Sequence, residues 1–86
     1  MGHTRTPKFE LQIKRADESA LIEGAEGLKS ALKSAKSIIT ALHLANCKIL
    51  LWGNNKTGQD YIKSKGCDYL EYKDKWEGRQ IEEVLK

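Results

Sequence analysis

Four stretches of this 86-residue chain have residue types and spacings that could do chemistry. The first is GNNKTG, Gly53 to Gly58, placed after an apolar run and before a helical one. Ligands of open α/β sheets bind at such strand ends. There the free N–H groups of Gly53, Asn54, Asn55, Lys56 and Thr57, with the Lys56 ammonium, would draw a phosphate or carboxylate. The order is not GxxxxGK[ST], so a plain turn and helix cap is the favoured reading of it. The second is a basic stripe of Lys29, Lys33 and Lys36, continued by His43. With Lys56 it could lie along a nucleic-acid backbone, or be a solvated helix face.

The third stretch is an aromatic set: Trp52, Tyr61, Tyr69, Tyr72 and Trp76. Aromatics beside lysines on a sheet can stack bases, but more commonly they fill a core. Trp52 reads as core. Trp76, between Lys75 and Glu77, reads as an exposed interface anchor. The fourth is Asp68, Glu71 and Lys73. On one strand Asp68 and Glu71 point to opposite faces, so they cannot share a metal. Cys47 and Cys67 form no CxxC pair and stand apart from His3 and His43, which argues against zinc. Both read as reduced thiols, although a single bridge between two strand starts is open to them. No catalytic residue, metal or cofactor is expected.

The elements that must position these residues centre on Leu28 to Ala45, LKSALKSAKSIITALHLA. Its apolar residues recur every three or four positions, which predicts a helix with one buried face. Upstream, Phe9, Leu11 and Ile13 alternate with polar residues and predict a strand. Between them two readings compete. In one, the helix starts near Glu18 and Leu21, Ala25, Leu28, Leu32, Ala35, Ile39 and Leu42 form a heptad seam, with Gly24 and Gly27 costing about 1 kcal/mol each. In the other, Ala20 to Glu23 is a strand folded back on Phe9 to Arg15. The unbroken phase of the seam favours the long helix.

Lys48 to Gly53 is apolar on both faces and predicts a central strand. A short helix capped at Thr57 and ended at Gly66 follows, then an alternating strand from Cys67 to Lys73. Asp74 to Gly78 reads as a turn and Arg79 to Lys86 as a last helix packing Ile81, Val84 and Leu85. Strands alternating with helices predict an α/β fold (β-α-β-α-β-α): a small three-stranded, mostly parallel sheet with one long and two shorter helices. Residues 1–7 read as a flexible arm and 8–86 as one domain.

The stretch ADESALIEG resembles the place where the ribonuclease H family carries a helix-start glutamate, here Glu18. LLWGNN is similar to its strand end bearing a metal-binding aspartate. Asn54 stands at that point, and the first strands with their aspartate are missing. The resemblance would imply a scaffold of that kind without hydrolysis, and it is not adopted as a family assignment.

A net charge of +3 permits an anionic partner without requiring one. MGHTRTPK has no apolar core of a signal peptide and no run spans a membrane, so a cytoplasmic chain is expected. A domain this small has a marginal core, and partners are the natural supplement. The expected function is a non-enzymatic binding or regulatory module acting through a protein interface. It is expected to be a homodimer joined by Leu28, Leu32, Ala35, Ile39, Leu42 and Trp76. The alternatives are nucleic-acid binding through Lys29, Lys33, Lys36 and Lys56, or a phosphate-binding or enzymatic domain using the Gly53 to Gly58 loop.

Overall fold

Strand alternation organises the chain from its first described element. The computed structural model describes residues 6–81. Phe9–Lys14 forms β1, with Phe9, Leu11 and Ile13 buried on one face and Glu10, Gln12 and Lys14 on the other. Ala20–Ala25 is β2, folded back antiparallel on β1 with Phe9 opposite Ala25 and Lys14 opposite Ala20. The hairpin reading of this segment therefore holds, and the long helix from Glu18 does not. Its turn is fixed by Arg15, whose N–H donates to the Ser19 carbonyl at 2.8 Å, and by Glu18 in the left-handed region at φ 74°.

Helix α1 covers Leu28–Ala41 and begins at Gly27, whose N–H donates to the Ser30 hydroxyl at 3.1 Å. It leads to β3, Lys48–Gly53. A second helix, α2, covers Lys56–Ser64. It is followed by β4, Tyr69–Tyr72, and β5, Trp76–Arg79. The strands lie in the order β2-β1-β3-β4-β5, and every neighbouring pair is antiparallel.

The expectation of a three-stranded, mostly parallel sheet is thus wrong: this is a five-stranded antiparallel sheet with two helices. Two physical reasons account for it. Helix α1 carries the chain past β1, so the mutually parallel β2 and β3 flank β1 and never touch. The segment read as a turn and helix start, WEGR, is a strand because Gly78 leaves room for Cys67. A β-carbon on Gly78 would stand 2.9 Å from the Cys67 sulfur. The last helix read from Arg79 loses Arg79 to β5, and residues 82–86 of that reading lie outside the described residues, as do residues 1–5 of the N-terminal arm.

Both helices cover one face of the sheet. Phe9, Leu11, Ile13, Leu51 and Leu70 meet Ala31 and Ala35 of α1 and Ile62 of α2 there. Ala31 and Ala35 are small, which lets α1 lie close over β1 and β2. The opposite face carries Glu10, Gln12, Lys14, Ile22, Lys48, Leu50, Trp52, Tyr69, Glu71, Glu77 and Arg79, and no helix of the described residues packs on it. No helix among them is long and apolar enough to cross a membrane.

Candidate functional site

The GNNKTG loop joins β3 to α2 and is bonded inward. The N–H groups of Asn54 and Asn55 donate to the Lys8 carbonyl at 2.8 and 3.3 Å. Their side-chain amides donate to the carbonyls of Pro7 and Thr6 at 3.1 and 3.3 Å. Asn55 is also the helix N-cap, its Oδ1 accepting the Gly58 N–H at 2.9 Å. Lys56 pairs with Asp60 at 2.9 Å in an exposed bridge one helical turn long. The donors that an anion cradle would use at Asn54, Asn55 and Gly58 are thus engaged, and the loop fastens the start of β1 to the start of α2. Gly53 lies against the Gln59 backbone, and Thr57 is exposed in the first turn.

The lysines are placed differently. Lys29, Lys33 and Lys36 are all exposed on α1, a helix with no acidic residue. Helix α2 and its cap add Lys56, Lys63 and Lys65 against the single acid Asp60. The strands hold the other balance: Glu10, Glu23, Glu71 and Glu77 against Lys14, Lys48 and Arg79. Charge is therefore divided by layer, with cations on the helices. His43 follows α1 in a left-handed turn at φ 52°, exposed.

The interface set splits. Ala35 is fully buried, and Leu28 and Ile39 pack on the core. Most of the heptad seam therefore closes on the chain's own sheet, which removes the uncovered seam from which self-association had been expected. Leu42 stays 54 % exposed beyond the helix end. Leu28, Leu32 and Trp76 come together with Lys29 around one groove between α1 and the β4–β5 hairpin. Its remaining lining is Tyr72, Asp74 and Lys75, and its volume is about 450 Å³. Register places Tyr72 opposite Trp76, and their rings meet edge to face at 5.2 Å and 68°. Trp76 is half-buried rather than an exposed anchor, because Tyr72 holds one side of it. The groove is shallow and open to solvent, with an apolar floor and a rim of Lys29, Lys75 and Asp74.

Local sequence does not mark Tyr72, Asp74 and Lys75 as groove residues. The available signal was the period of two in CDYLEYK, which sets Leu70 and Tyr72 on one face and runs on past the turn to Trp76.

On the open sheet face, Trp52 and Tyr69 stack at 4.4 Å and 20°. Tyr69 is only 8 % exposed, so the pair fills its own faces and offers no free platform for a base. Beside it a cleft of about 390 Å³ is lined by Lys14, Arg15, Ala16, Glu18, Asn46, Lys48, Leu50, Tyr69 and Glu71. Glu71 pairs with Arg79 at 3.2 Å, and Arg79 also reaches Glu77 at 2.9 Å. Those two carboxylates, Glu71 first, raise the guanidinium's pKa further above its ordinary range. Asp68 accepts the Ile81 N–H at 2.9 Å, apart from Glu71.

Cys67 is buried, Cys47 is half-buried, and both are free thiols. No group of three or more potential metal ligands occurs among the described residues. No protein-family model matches the chain, and neither a curated protein nor a solved structure matches it.

Proposed function

We propose that this chain is a non-enzymatic protein-binding module. Its groove between α1 and the β4–β5 hairpin takes an apolar side chain from a segment that is otherwise acidic. The observation that carries this reading is the meeting of half-exposed Leu32, Tyr72 and Trp76 with Lys29 and Lys75 at one place. An apolar floor supplies affinity by excluding water from an anchor residue. Lysines on the rim favour acidic flanks and speed encounter with them.

Selection from a displayed library of random peptides tests this. Recovered peptides should share one aromatic or large aliphatic residue beside Asp or Glu. Their affinity should fall about tenfold or more with Trp76→Ala and with Leu32→Ser. Peptides without that pattern, or with equal affinity for the variants, would remove the groove from consideration.

A second reading, nucleic-acid binding, is favoured by one specific feature: Lys29, Lys33 and Lys36 stand on a helix without an acid. Binding of a short single-stranded oligonucleotide should then weaken steeply with salt, and its salt slope should fall when these lysines become glutamine. A slope indifferent to the substitutions would set that reading aside.

A further inference from the structure

Two pairs of like charges stand directly opposite each other on the open face of the sheet. Glu71 of β4 faces Glu77 of β5, and Lys14 of β1 faces Lys48 of β3. Like charges so opposed destabilise a sheet unless a counterion joins them. The acidic pair has one, since Arg79 reaches Glu71 at 3.2 Å and Glu77 at 2.9 Å. The lysine pair does not. Lys14 has Glu18 at 3.9 Å, but that side chain is 86 % exposed and water screens the attraction. The Lys48 ammonium has no ion pair among the described residues.

Both lysines line the open-face cleft of about 390 Å³, and Arg15 lines it with them. The β1–β2 turn holds that arginine in place. Its Nε donates to the Ser19 hydroxyl at 2.8 Å, and the same hydroxyl donates to the Asp17 carboxylate. The Nη groups of Arg15 donate no hydrogen bond among the described residues. Of the two carboxylates in the lining, Glu71 is already neutralised through Oε1 by Arg79, and Glu18 stands largely in solvent. Three cations thus border one cleft whose own anions do not satisfy them.

We propose that this cleft binds a small phosphate monoester of a polyhydroxy compound, a sugar phosphate in size and chemistry. A dianionic phosphate matches two ammonium groups and a guanidinium better than a single carboxylate does. It supplies Lys14 and Lys48 with the shared counterion that Arg79 is to Glu71 and Glu77. The rest of the lining suits hydroxyl groups. Glu71 has a second oxygen to accept them, and the Asn46 amide stands beside it at a left-handed turn, φ 55°. The floor is Leu50 and Tyr69, both buried, which leaves little apolar surface for a large hydrophobic body. Trp52 already stacks on the Tyr69 ring, which disfavours a nucleobase and so a nucleotide. The cleft has the volume of a small-ligand site. It lies across the sheet from the groove beside α1 and does not depend on that groove's function.

Amide NMR titration of the full chain with glucose-6-phosphate tests this. The shifts should centre on residues 14–18, 46–50 and 71, with a dissociation constant of about 1 mM or below. Glucose alone should not bind, and inorganic phosphate should bind the same residues more weakly. Lys48→Gln and Arg15→Gln should each weaken the sugar phosphate about tenfold, and Lys63→Gln on α2 should leave it unchanged. Lys48→Glu sets unlike charges opposite each other, so it should melt above the wild type and lose the ligand. Circular dichroism of each variant establishes that it is folded. Shifts scattered over the helix lysines, or none up to roughly 10 mM ligand, overturn the proposal. So does a folded Lys48→Gln variant with wild-type affinity. Inorganic phosphate or a short oligonucleotide that binds these residues as tightly as the sugar phosphate overturns it as well.

Discussion

The carbonyl oxygen of Lys8 lies directly against the α-carbon of Gly58, where any side chain would begin. That same oxygen receives the N–H groups of Asn54 and Asn55. One backbone atom therefore joins the entry of β1, the exit of β3 and the first turn of α2. Gly58 is required there for closeness, since a β-carbon would meet backbone that cannot rotate away.

Gly58→Ala should accordingly destabilise the fold by about 2 kcal/mol or more, despite alanine's better helix propensity. Urea denaturation followed by far-ultraviolet circular dichroism measures it. A neutral or stabilising result would mean that the Lys8 carbonyl can move away without loss.

Trp52 yields a paired prediction. Its indole Nε1–H is buried and has no acceptor among the described residues. A buried unsatisfied donor costs stability, and its removal can be neutral or favourable. Trp52→Phe keeps a ring against Tyr69 and should change stability by less than about 1 kcal/mol. Trp52→Ala loses both stack and burial and should cost roughly 2–4 kcal/mol. Equal losses for the two variants, by urea midpoint, would show that the indole N–H matters after all.

Several elements are plain in the sequence because one physical signal dominates each. The alternation of Phe9, Leu11 and Ile13 reveals β1, and the apolar run through Ile49, Leu50, Leu51 and Trp52 reveals the central strand β3. Asn55 and Gly58 flag the start of α2 less directly, since the cap falls two residues before Thr57. The hairpin strand β2 is hidden by coincidence: Leu21 and Ala25 fall in phase with the α1 seam, so one periodicity extends over two elements. Strand β5 is hidden by Gly78, which reads as a breaker until Cys67 is seen packed on it. Strand direction is set by where each helix returns the chain, and local pattern does not carry it. The groove residues Leu28, Leu32, Lys29 and Trp76 were each visible alone. What brought them together was the β4–β5 register.

The Glu71–Arg79 pair bridges neighbouring strands, with side chains 13 % and 28 % exposed. Arg79→Met should lower the urea midpoint by stranding a largely covered carboxylate. Adding Glu71→Gln should recover part of that loss, giving a positive coupling in a double-mutant cycle. Additive losses from the two substitutions would show that the pair contributes no coupling.

Asp17 supplies a pH dependence. Its carboxylate accepts the hydroxyl and the N–H of Ser19, and these bonds, the hydroxyl first, lower its pKa below 3.8. A lowered folded-state pKa means that its contribution is complete above 3.8 and is lost as pH falls through the folded value. Thermal melts of wild type and Asp17→Asn from about pH 7 to about pH 2 should therefore converge at the acid end. A constant gap over the whole range would count against the Ser19 bonds as the cause.

The division of charge between the layers makes this molecule electrically lopsided beyond what a net +3 conveys. In the field of a polyanion it experiences a torque as well as a pull. At about 0.1 M salt the field reaches only about 10 Å, so the turning takes place in the final approach. The chain then arrives helices first, and its open sheet face, where Glu10, Glu71 and Glu77 are matched by Lys14, Lys48 and Arg79, points away. On a cation exchanger it should be held through a single side, more tightly than a protein of equal net charge spread evenly over its surface.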